Sequence, residues 1–238
     1  MSPKQNLSNR LHGELGEMIA GLAPGDRLPT EPKLAQLLHV SRATLREAMR
    51  TFETQGLIQR RQGVGTFVVH PAEVMETGLE VLESIESMAR RVGLSVQMGN
   101  FQIETQDAEA GEKEILKADR VHQVSRVMEA EGRPAAYLID IVPVDLLSES
   151  ELKQEFTGSV LDLFLKRGAP AVRNAHTEIH AAAVESEVAR ALHIQRGDVV
   201  LYFKSVVYAL DRSAVALTQS YFLPGYFRFH VLRRPGRS

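Results

Sequence analysis

The sequence contains no cysteine, and its apolar runs are short. Without a thiol, the chain can form no disulfide framework, no thiolate zinc site and no cysteine nucleophile. No apolar run approaches the roughly 20 residues that a membrane-spanning helix needs. The first residues also lack the apolar core of a secretory signal peptide. These absences predict a cytoplasmic protein without a membrane segment.

The composition is close to that of an average globular protein, and its charge is unevenly distributed. The chain has 238 residues, of which 44% are hydrophobic and 24% charged, which suits one large or two small domains. Residues 1–71 carry nine basic and six acidic side chains, whereas the remainder carries 19 basic and 24 acidic ones. A basic first third favours nucleic-acid contact through that part alone, although a difference of this size also arises by chance.

Three helices are predicted in the first third of the chain. Apolar residues recur at helical spacing over residues 6–21. Thr30 is a suitable N-cap for a short second helix, and Ser41 is a suitable N-cap for a third helix that runs from Arg42 to about Thr54. The predicted buried face of the third helix has the spacing i, i+3, i+4 and i+7, and its residues are Leu45, Ala48, Met49 and Phe52.

A β-hairpin is predicted directly after the third helix. Two short β-prone runs, 57–61 and 66–69, flank a turn that contains Gly63 and Gly65. Only two residues separate the second helix from the N-cap of the third. This order predicts a winged helix-turn-helix domain over residues 1–70, followed by a linker at 71–78.

The third helix and the hairpin carry the candidate DNA contacts. Arg42, Arg46 and Arg50 step by four residues on the side opposite the buried face, where they can reach phosphates or guanine edges in the major groove. A glycine-containing hairpin tip allows the backbone to approach the minor groove closely. A solvated arginine face is the alternative interpretation. The candidates are Thr30, Lys33, Ser41, Arg42, Thr44, Arg46, Arg50, Arg61, Gln62, Gly63 and Gly65.

Three stretches of this domain, residues 24–31, 40–46 and 56–68, resemble the GntR family of bacterial transcription regulators. The resemblance implies that Ser41, Arg42, Thr44 and Arg46 contact DNA from the helix and Gly65 from the wing. Family members often carry Arg at the position that Pro32 occupies here. Pro32 has no side-chain donor to make that contact, and Lys33 would replace it only in part.

An α+β domain built around an antiparallel sheet is predicted for residues 79–238, because strand-like runs alternate there with short helices. The predicted strands are 101–105, 121–128, 136–142, 175–181, 199–208 and 215–222, and the predicted helices are 79–92, 161–166 and 185–192. This order resembles the UTRA domain of the HutC subfamily, which is related in fold to chorismate lyase. The residues that carry the resemblance are 124–126, 132–134, 197–201, 220–222 and Phe229. The resemblance implies effector binding and dimerisation through this domain.

The candidate effector-binding residues are Arg126, Tyr137, Asp140 and Tyr221. Sugar-phosphate-binding relatives carry charged residues where this chain has Met128 and Leu138. The hypothesis is therefore a smaller or more apolar ligand, with a carboxylate held by Arg126 and a wall formed by Tyr137 or Tyr221. The alternative is that Arg126 pairs with Asp140 and that both tyrosines are core residues.

The sequence thus predicts a dimeric, ligand-responsive transcription factor that binds a palindromic operator. No metal or cofactor is expected, since His176 and His180 have no evident third ligand. One alternative is an enzyme of chorismate-lyase-like fold, which the lack of paired carboxylates or a nucleophile constellation disfavours. The other is a protein that binds DNA without sequence preference.

Overall fold

The computed structural model describes residues 3–23, 25–54, 57–61, 63–68, 75–91 and 95–231. These residues divide into two compact units. The first contains the described residues up to 68, with which the short turn Leu223–Tyr226 is grouped. The second contains residues 75–222 and 227–231.

The first unit is a three-helix domain with a β-hairpin, as predicted. Its helices are α1 (Pro3–Ala20), α2 (Glu31–Leu37) and α3 (Arg42–Thr54), and its hairpin pairs β1 (Ile58–Arg61) with β2 (Gly65–Val68). The predicted buried face of α3 packs against Leu11, Leu15 and Ile19 of α1 in one core. The apolar stripes at helical spacing therefore do form the interior of this domain.

The segment before α2 adds a third line of backbone to the hairpin. Leu28 donates a backbone hydrogen bond to Thr66 at 2.8 Å, and Val68 donates one to Asp26 at 2.7 Å. Arg27 forms an antiparallel bridge with Phe67. The wing is therefore fixed to the turn that precedes α2, which places Arg27 beside the wing.

The second unit contains a six-stranded antiparallel sheet with short helices between its strands. Its order is β4-β5-β6-β9-β8-β7, so β4 and β7 are the two edges. The strands are β4 (Val96–Asp107), β5 (Arg120–Ala130), β6 (Arg133–Pro143), β7 (Val172–Ala183), β8 (Val199–Ala209) and β9 (Ala214–Phe222). The helices are α4 (Ile85–Arg91), α5 (Ala110–Leu116), α6 (Glu149–Glu155), α7 (Val160–Arg167) and α8 (Ser186–Ala191). This architecture confirms the predicted α+β class.

The predicted linker is in part a strand. Its last four residues form β3 (Met75–Gly78), which pairs in parallel with β10 (Phe227–His230), a strand that the sequence did not indicate. Residues 71–74 lie outside the described residues. The second unit therefore begins by residue 75.

The first helix of the second unit begins later than predicted. The apolar spacing from Leu79 predicted one helix up to Val92, whereas α4 begins at Ile85. Ser84 explains the later start, because its Oγ accepts the backbone N–H of Ser87 at 3.0 Å, as an N-capping side chain does. Val92 lies outside the described residues.

Candidate DNA-binding and effector sites

The N-terminal end of α3 is locally ordered and open to solvent. Ser41 Oγ accepts the backbone N–H of Thr44 at 3.1 Å and lies 2.8 Å from Thr44 Oγ1. Ser41 and Arg42 are exposed, whereas Leu45 is fully buried. The start of the helix therefore presents a hydroxyl, a guanidinium and backbone N–H groups on one surface, which suits contact with phosphate and base edges.

Glu31 at the start of α2 binds two arginines of the candidate DNA surface. Arg46 Nε donates to Glu31 Oε2 at 2.8 Å, and Arg60 Nη2 lies 3.4 Å from Glu31 Oε1. The Arg46 side chain is still 62% exposed, so this contact orients the guanidinium without burying it. Local sequence patterns do not indicate this contact, because Glu31 and Arg46 are 15 residues apart.

The wing tip is shaped by two glycines and an arginine on an aromatic ring. Gly63 and Gly65 have φ values of +73° and +145°, in the region that favours glycine. A Cβ on Gly65 would lie 2.5 Å from Arg27 Nε, whereas a Cβ on Gly63 would meet nothing within 4 Å. The Arg61 guanidinium lies 4.8 Å from the centre of the Phe67 ring, a cation–π arrangement.

Several of the predicted DNA-contacting residues line one concave surface with a volume of about 400 Å³. Its lining includes five of the predicted residues, Thr30, Arg46, Arg61, Gly63 and Gly65, together with Arg27 and Arg60. Arg27 was not among the predicted residues, because only its bridge to Phe67 of the wing brings it to this surface. Ser41, Arg42 and Thr44 form the neighbouring helix end, and Lys33 is exposed on α2. Arg50 lies 3.6 Å from Glu47. Gln62 lies outside the described residues.

A cavity of about 390 Å³ lies on one face of the six-stranded sheet. Side chains at alternate positions along a strand share a face, so the cavity receives Leu138 and Asp140 from β6. The other floor residues include Thr218, Ser220 and Phe222 from β9 and Phe203 and Ser205 from β8. Ile85 and Met88 of α4 and Leu161 of α7 also line it. The cavity thus combines a row of hydroxyls with apolar surface.

Arg126 is held in a buried ion network at the side of this cavity. Its Nη1 donates to Asp140 Oδ2 at 2.7 Å, and its Nε donates to Glu86 Oε1 at 3.3 Å. The side chain is only 5% exposed. Burial alone would lower the pKa of Arg126, but the adjoining carboxylates of Asp140 and Glu86 raise it overall. The ion pair between Arg126 and Asp140, which the sequence analysis gave as an alternative, is therefore present.

Glu86 is the less satisfied carboxylate of the network. Its Oε2 is buried without a hydrogen-bond partner among the described residues. Burial raises the pKa of Glu86, although the charge of Arg126 partly opposes this shift. A second cavity of about 260 Å³, lined by Glu86, Met128 and Thr157, also reaches Arg126.

Tyr137 and Tyr221 lie on the opposite face of the sheet, which corrects their prediction as a wall of the pocket. Tyr137 pairs in register with Tyr221, and Tyr221 pairs with Tyr202. The Tyr137 hydroxyl donates to Glu187 Oε1 at 2.7 Å. Burial raises the pKa of both Tyr137 and Tyr221 to about 12. Tyr137 is three residues from Asp140 on one strand, so the two side chains must point to opposite faces.

The histidines and helices of the described residues bear on two further features, a metal site and a membrane span. In the described ranges, no group of three or more His, Asp or Glu side chains is arranged to hold a metal ion. His176 and His180 both lie exposed on β7. None of the helices described is long and apolar enough to cross a membrane.

A winged domain with an exposed arginine helix, followed by a sheet domain with a pocket, defines a DNA-binding regulator with a sensor domain. Residues 7–68 match the model of bacterial regulatory proteins of the gntR family, and residues 89–228 match that of the UTRA domain. The chain belongs to the GntR family of transcription regulators, in the HutC-type arrangement of a winged helix followed by a UTRA domain.

Curated relatives and solved structures have the same arrangement. The chain is 27% identical to the HTH-type transcriptional repressor NagR of Bacillus subtilis, over 90% of this chain and 88% of NagR. It is 29% identical to the histidine utilization repressor of Pseudomonas putida, over 76% and 73% of the two chains. The crystal structure of PhnF from Mycobacterium smegmatis has the same fold, with a TM-score of 0.61 at 22% identity over 95% of this chain and 100% of that one. NagR and the histidine utilization repressor are repressors by name. With the two family matches, the chain is a transcription regulator, and the enzyme alternative is set aside.

Proposed function

We propose that this protein is a ligand-responsive repressor that binds a palindromic operator as a homodimer. The observation that carries the proposal is the concave basic surface at which α2, α3 and the wing meet. The relatives named as repressors support the sign of regulation. The proposal includes a cytoplasmic location and the domain limits 1–70, 71–78 and 79–238. The strand at 75–78 supports a start of the sensor domain a few residues earlier.

In this proposal, α3 enters the major groove and the wing approaches the minor groove. Ser41, Arg42, Thr44 and Arg46 contact phosphates and base edges from the helix. Arg61, Gln62, Gly63 and Gly65 act at the wing. Thr30, Lys33 and Arg50 contact the phosphate backbone, and the structure supports adding Arg27 to that group.

The effector is proposed to bind in the 390-Å³ cavity of the sensor domain. Arg126 and Asp140 belong to its lining, whereas Tyr137 and Tyr221 drop out of the proposal. Arg126 already pairs with two carboxylates, so a ligand carboxylate would have to displace one of them. The hydroxyl row with Asp140 and the apolar floor instead suit a small ligand with one apolar face and hydroxyl or N–H donors. Such a ligand changes DNA affinity only if it binds two arrangements of the dimer unequally.

Capture of sheared genomic DNA by the purified protein at near-physiological salt, followed by sequencing, tests the DNA-binding part. Enrichment of one short palindrome is expected. If Arg46 contacts a base, Arg46→Ala should bind this palindrome more weakly, by roughly 1–3 kcal/mol of binding free energy. Equal recovery of all genomic fragments by the wild type would contradict the proposal, because contacts with phosphates alone give no site preference.

Isothermal titration calorimetry tests the effector site. The ligands to titrate are the metabolites on which enzymes encoded beside that palindrome act. Thr218→Val removes one hydroxyl from the cavity with little change of shape, and Tyr221→Phe removes one from the opposite face of the sheet. The first variant should bind the effector at least several-fold more weakly, and the second should bind it unchanged. The reverse pattern would move the site to the other face.

A further inference from the structure

The smaller cavity of the sensor domain is lined by a carboxylate that has one oxygen without a partner. This cavity has a volume of about 260 Å³ and shares Arg126 with the 390-Å³ cavity, but Glu86 lines only the smaller one and Asp140 only the larger. Glu86 Oε1 accepts a hydrogen bond from Arg126 Nε, whereas Glu86 Oε2 has no hydrogen bond among the described residues. A molecule in the smaller cavity therefore meets a carboxylate oxygen that can still accept a donor.

The charges of the buried network around Glu86 do not balance. Arg126 carries one positive charge, whereas its partners Glu86 and Asp140 are both carboxylates, and none of the three side chains is more than 13% exposed. Arg90, the other basic residue of the lining, is 66% exposed and lies 3.8 Å from Asp162. A buried charge without a counter-charge is costly. The network is thus one positive charge short, and either a proton or a bound cation can supply it.

The rest of the lining indicates which kind of cation fits the cavity. Met98 and Met128 are paired on β4 and β5, so their side chains share one face of the sheet. The polar groups beside them are neutral and belong to Ser95, Gln97 and Thr157. A metal ion needs several oxygen ligands, and no acidic or histidine cluster in the described ranges is arranged to hold one. Two thioethers and one free carboxylate oxygen instead suit an organic cation with N–H donors and an apolar body.

We propose that the 260-Å³ cavity binds a small organic ammonium ion, one N–H group of which donates to Glu86 Oε2. The positive charge of this ion balances the network of Glu86, Arg126 and Asp140, and its carbon body packs against Met98 and Met128. A proton held by Glu86 passes to solvent when the ion binds, so that the carboxylate is ionised in the complex. This site is separate from the effector cavity, and it does not depend on the DNA-binding function proposed above.

Titration of the full-length protein with three probes of similar shape tests this site. Benzylammonium, benzyl alcohol and benzoate carry a positive charge, no charge and a negative charge beside the same ring. Binding is followed by NMR of isotope-labelled methionine methyl groups, because Met98 and Met128 line this cavity and Met88 lines the larger one. Benzylammonium should shift the signals of Met98 and Met128 but not that of Met88. Benzoate should leave the signals of Met98 and Met128 unchanged.

A substitution of Glu86 separates the effect of its charge from the fit of the ring. Glu86→Gln removes the negative charge at nearly constant shape, so it should bind benzylammonium roughly fivefold more weakly or worse and benzyl alcohol as the wild type does. Glu83→Gln is the matched control, because Glu83 is also largely buried, at 17% exposed, but its carboxylate is bound by Arg91 at 2.6 Å. This control should bind both probes as the wild type does.

Three results would each overturn the proposal. The first is a benzylammonium titration of the wild type that shifts neither Met98 nor Met128, in which case Glu86 holds only a proton or water. The second is a shift at Met88 alone, which would place the ammonium ion in the effector cavity. The third is equal affinity of the wild type for benzylammonium and benzyl alcohol, which decides against a role of the Glu86 charge even where Glu86→Gln does not fold.

Discussion

At the scale of single residues, Glu31 holds two arginines of the proposed DNA surface. Its carboxylate binds Arg46 at 2.8 Å and lies 3.4 Å from Arg60, although a carboxylate repels the phosphate backbone. Removing it should strengthen binding to any duplex and free Arg46 to turn between partners. Glu31→Gln is therefore expected to raise non-specific affinity several-fold and to lower the ratio of operator to non-specific affinity.

Fluorescence anisotropy with the operator and a scrambled duplex at one salt concentration measures both quantities. Glu47→Gln removes the same charge from an exposed partner of Arg50 and serves as the control, with a change in affinity but not in the ratio. A Glu31→Gln protein whose operator preference equals that of the wild type would show that Glu31 does not orient Arg46.

Glu86 illustrates how an incompletely compensated buried carboxylate affects stability. Burial raises its pKa above the usual 4.5. At pH values between the pKa of the unfolded state and that of the folded state, the folded protein therefore keeps a proton on Glu86 that the unfolded chain has lost. The free energy of unfolding therefore falls as the pH rises through the folded pKa. Glu86→Gln lacks this titration and should be at least as stable as the wild type near neutral pH.

The difference should disappear below about pH 4.5, where Glu86 is protonated in both states. Urea unfolding of both proteins at fixed concentration between pH 4 and pH 8 measures it. Asp140→Asn provides the contrast, because it removes the 2.7-Å partner of Arg126 and should destabilise the protein by about 3 kcal/mol or more. A Glu86→Gln protein less stable than the wild type at every pH would show that the bond to Arg126 outweighs the cost of burial.

At the scale of elements, the N-cap of α3 stabilises the helix and also belongs to the proposed DNA surface. Ser41→Ala loses the bond from Thr44 N–H and should cost about 1 kcal/mol of unfolding free energy, together with DNA affinity. Ser148→Ala removes the equivalent cap of α6 in the sensor domain and should cost a similar amount of stability only. Urea unfolding and anisotropy on both variants separate the two effects, and equal loss of DNA affinity would show that Ser41 acts through stability alone.

The winged domain could be predicted almost completely, because its caps, glycine turns and apolar spacing all indicate the same elements. The short helices α5 and α6 were missed, since seven residues give little periodicity. The pattern of Ser148 and Glu151 in the sequence did carry the signal of α6, because the two form a capping box. The separation of Tyr137 from Asp140 could also have been predicted, as residues three apart on a strand face opposite sides.

What the sequence could not provide is the pairing of distant segments. The ion network joins α4, β5 and β6 through Glu86, Arg126 and Asp140. Its Arg126–Asp140 pair was among the predicted alternatives, but nothing in the sequence indicated Glu86, which lies 40 residues before Arg126. The bridge of Arg27 to Phe67 likewise depends on how the wing folds back. Such contacts follow from strand register and packing, and spacing along a single chain does not determine either.

At the scale of the whole molecule, the proposed dimer places two winged domains on one operator. Each domain releases counterions from the DNA in proportion to the phosphates it contacts, so the logarithm of affinity falls linearly with the logarithm of salt concentration. A chain that remains monomeric should contact half as many phosphates. Ile179 is 49% exposed on β7, an edge strand of the sensor sheet in the described residues. If the proposed dimer forms along that edge, Ile179→Lys separates the two chains and binds the operator with about half the salt slope of the wild type.

The loss of affinity should also exceed what one set of contacts explains, because the second winged domain of a dimer binds at a high effective concentration. Anisotropy titrations across a series of salt concentrations measure both the slope and the affinity. Leu165→Lys adds the same positive charge elsewhere on the sensor domain and should keep the wild-type slope. If Ile179→Lys sediments as a monomer yet keeps that slope as well, two chains assemble on the operator without β7, and the dimer that matters for regulation forms only on DNA.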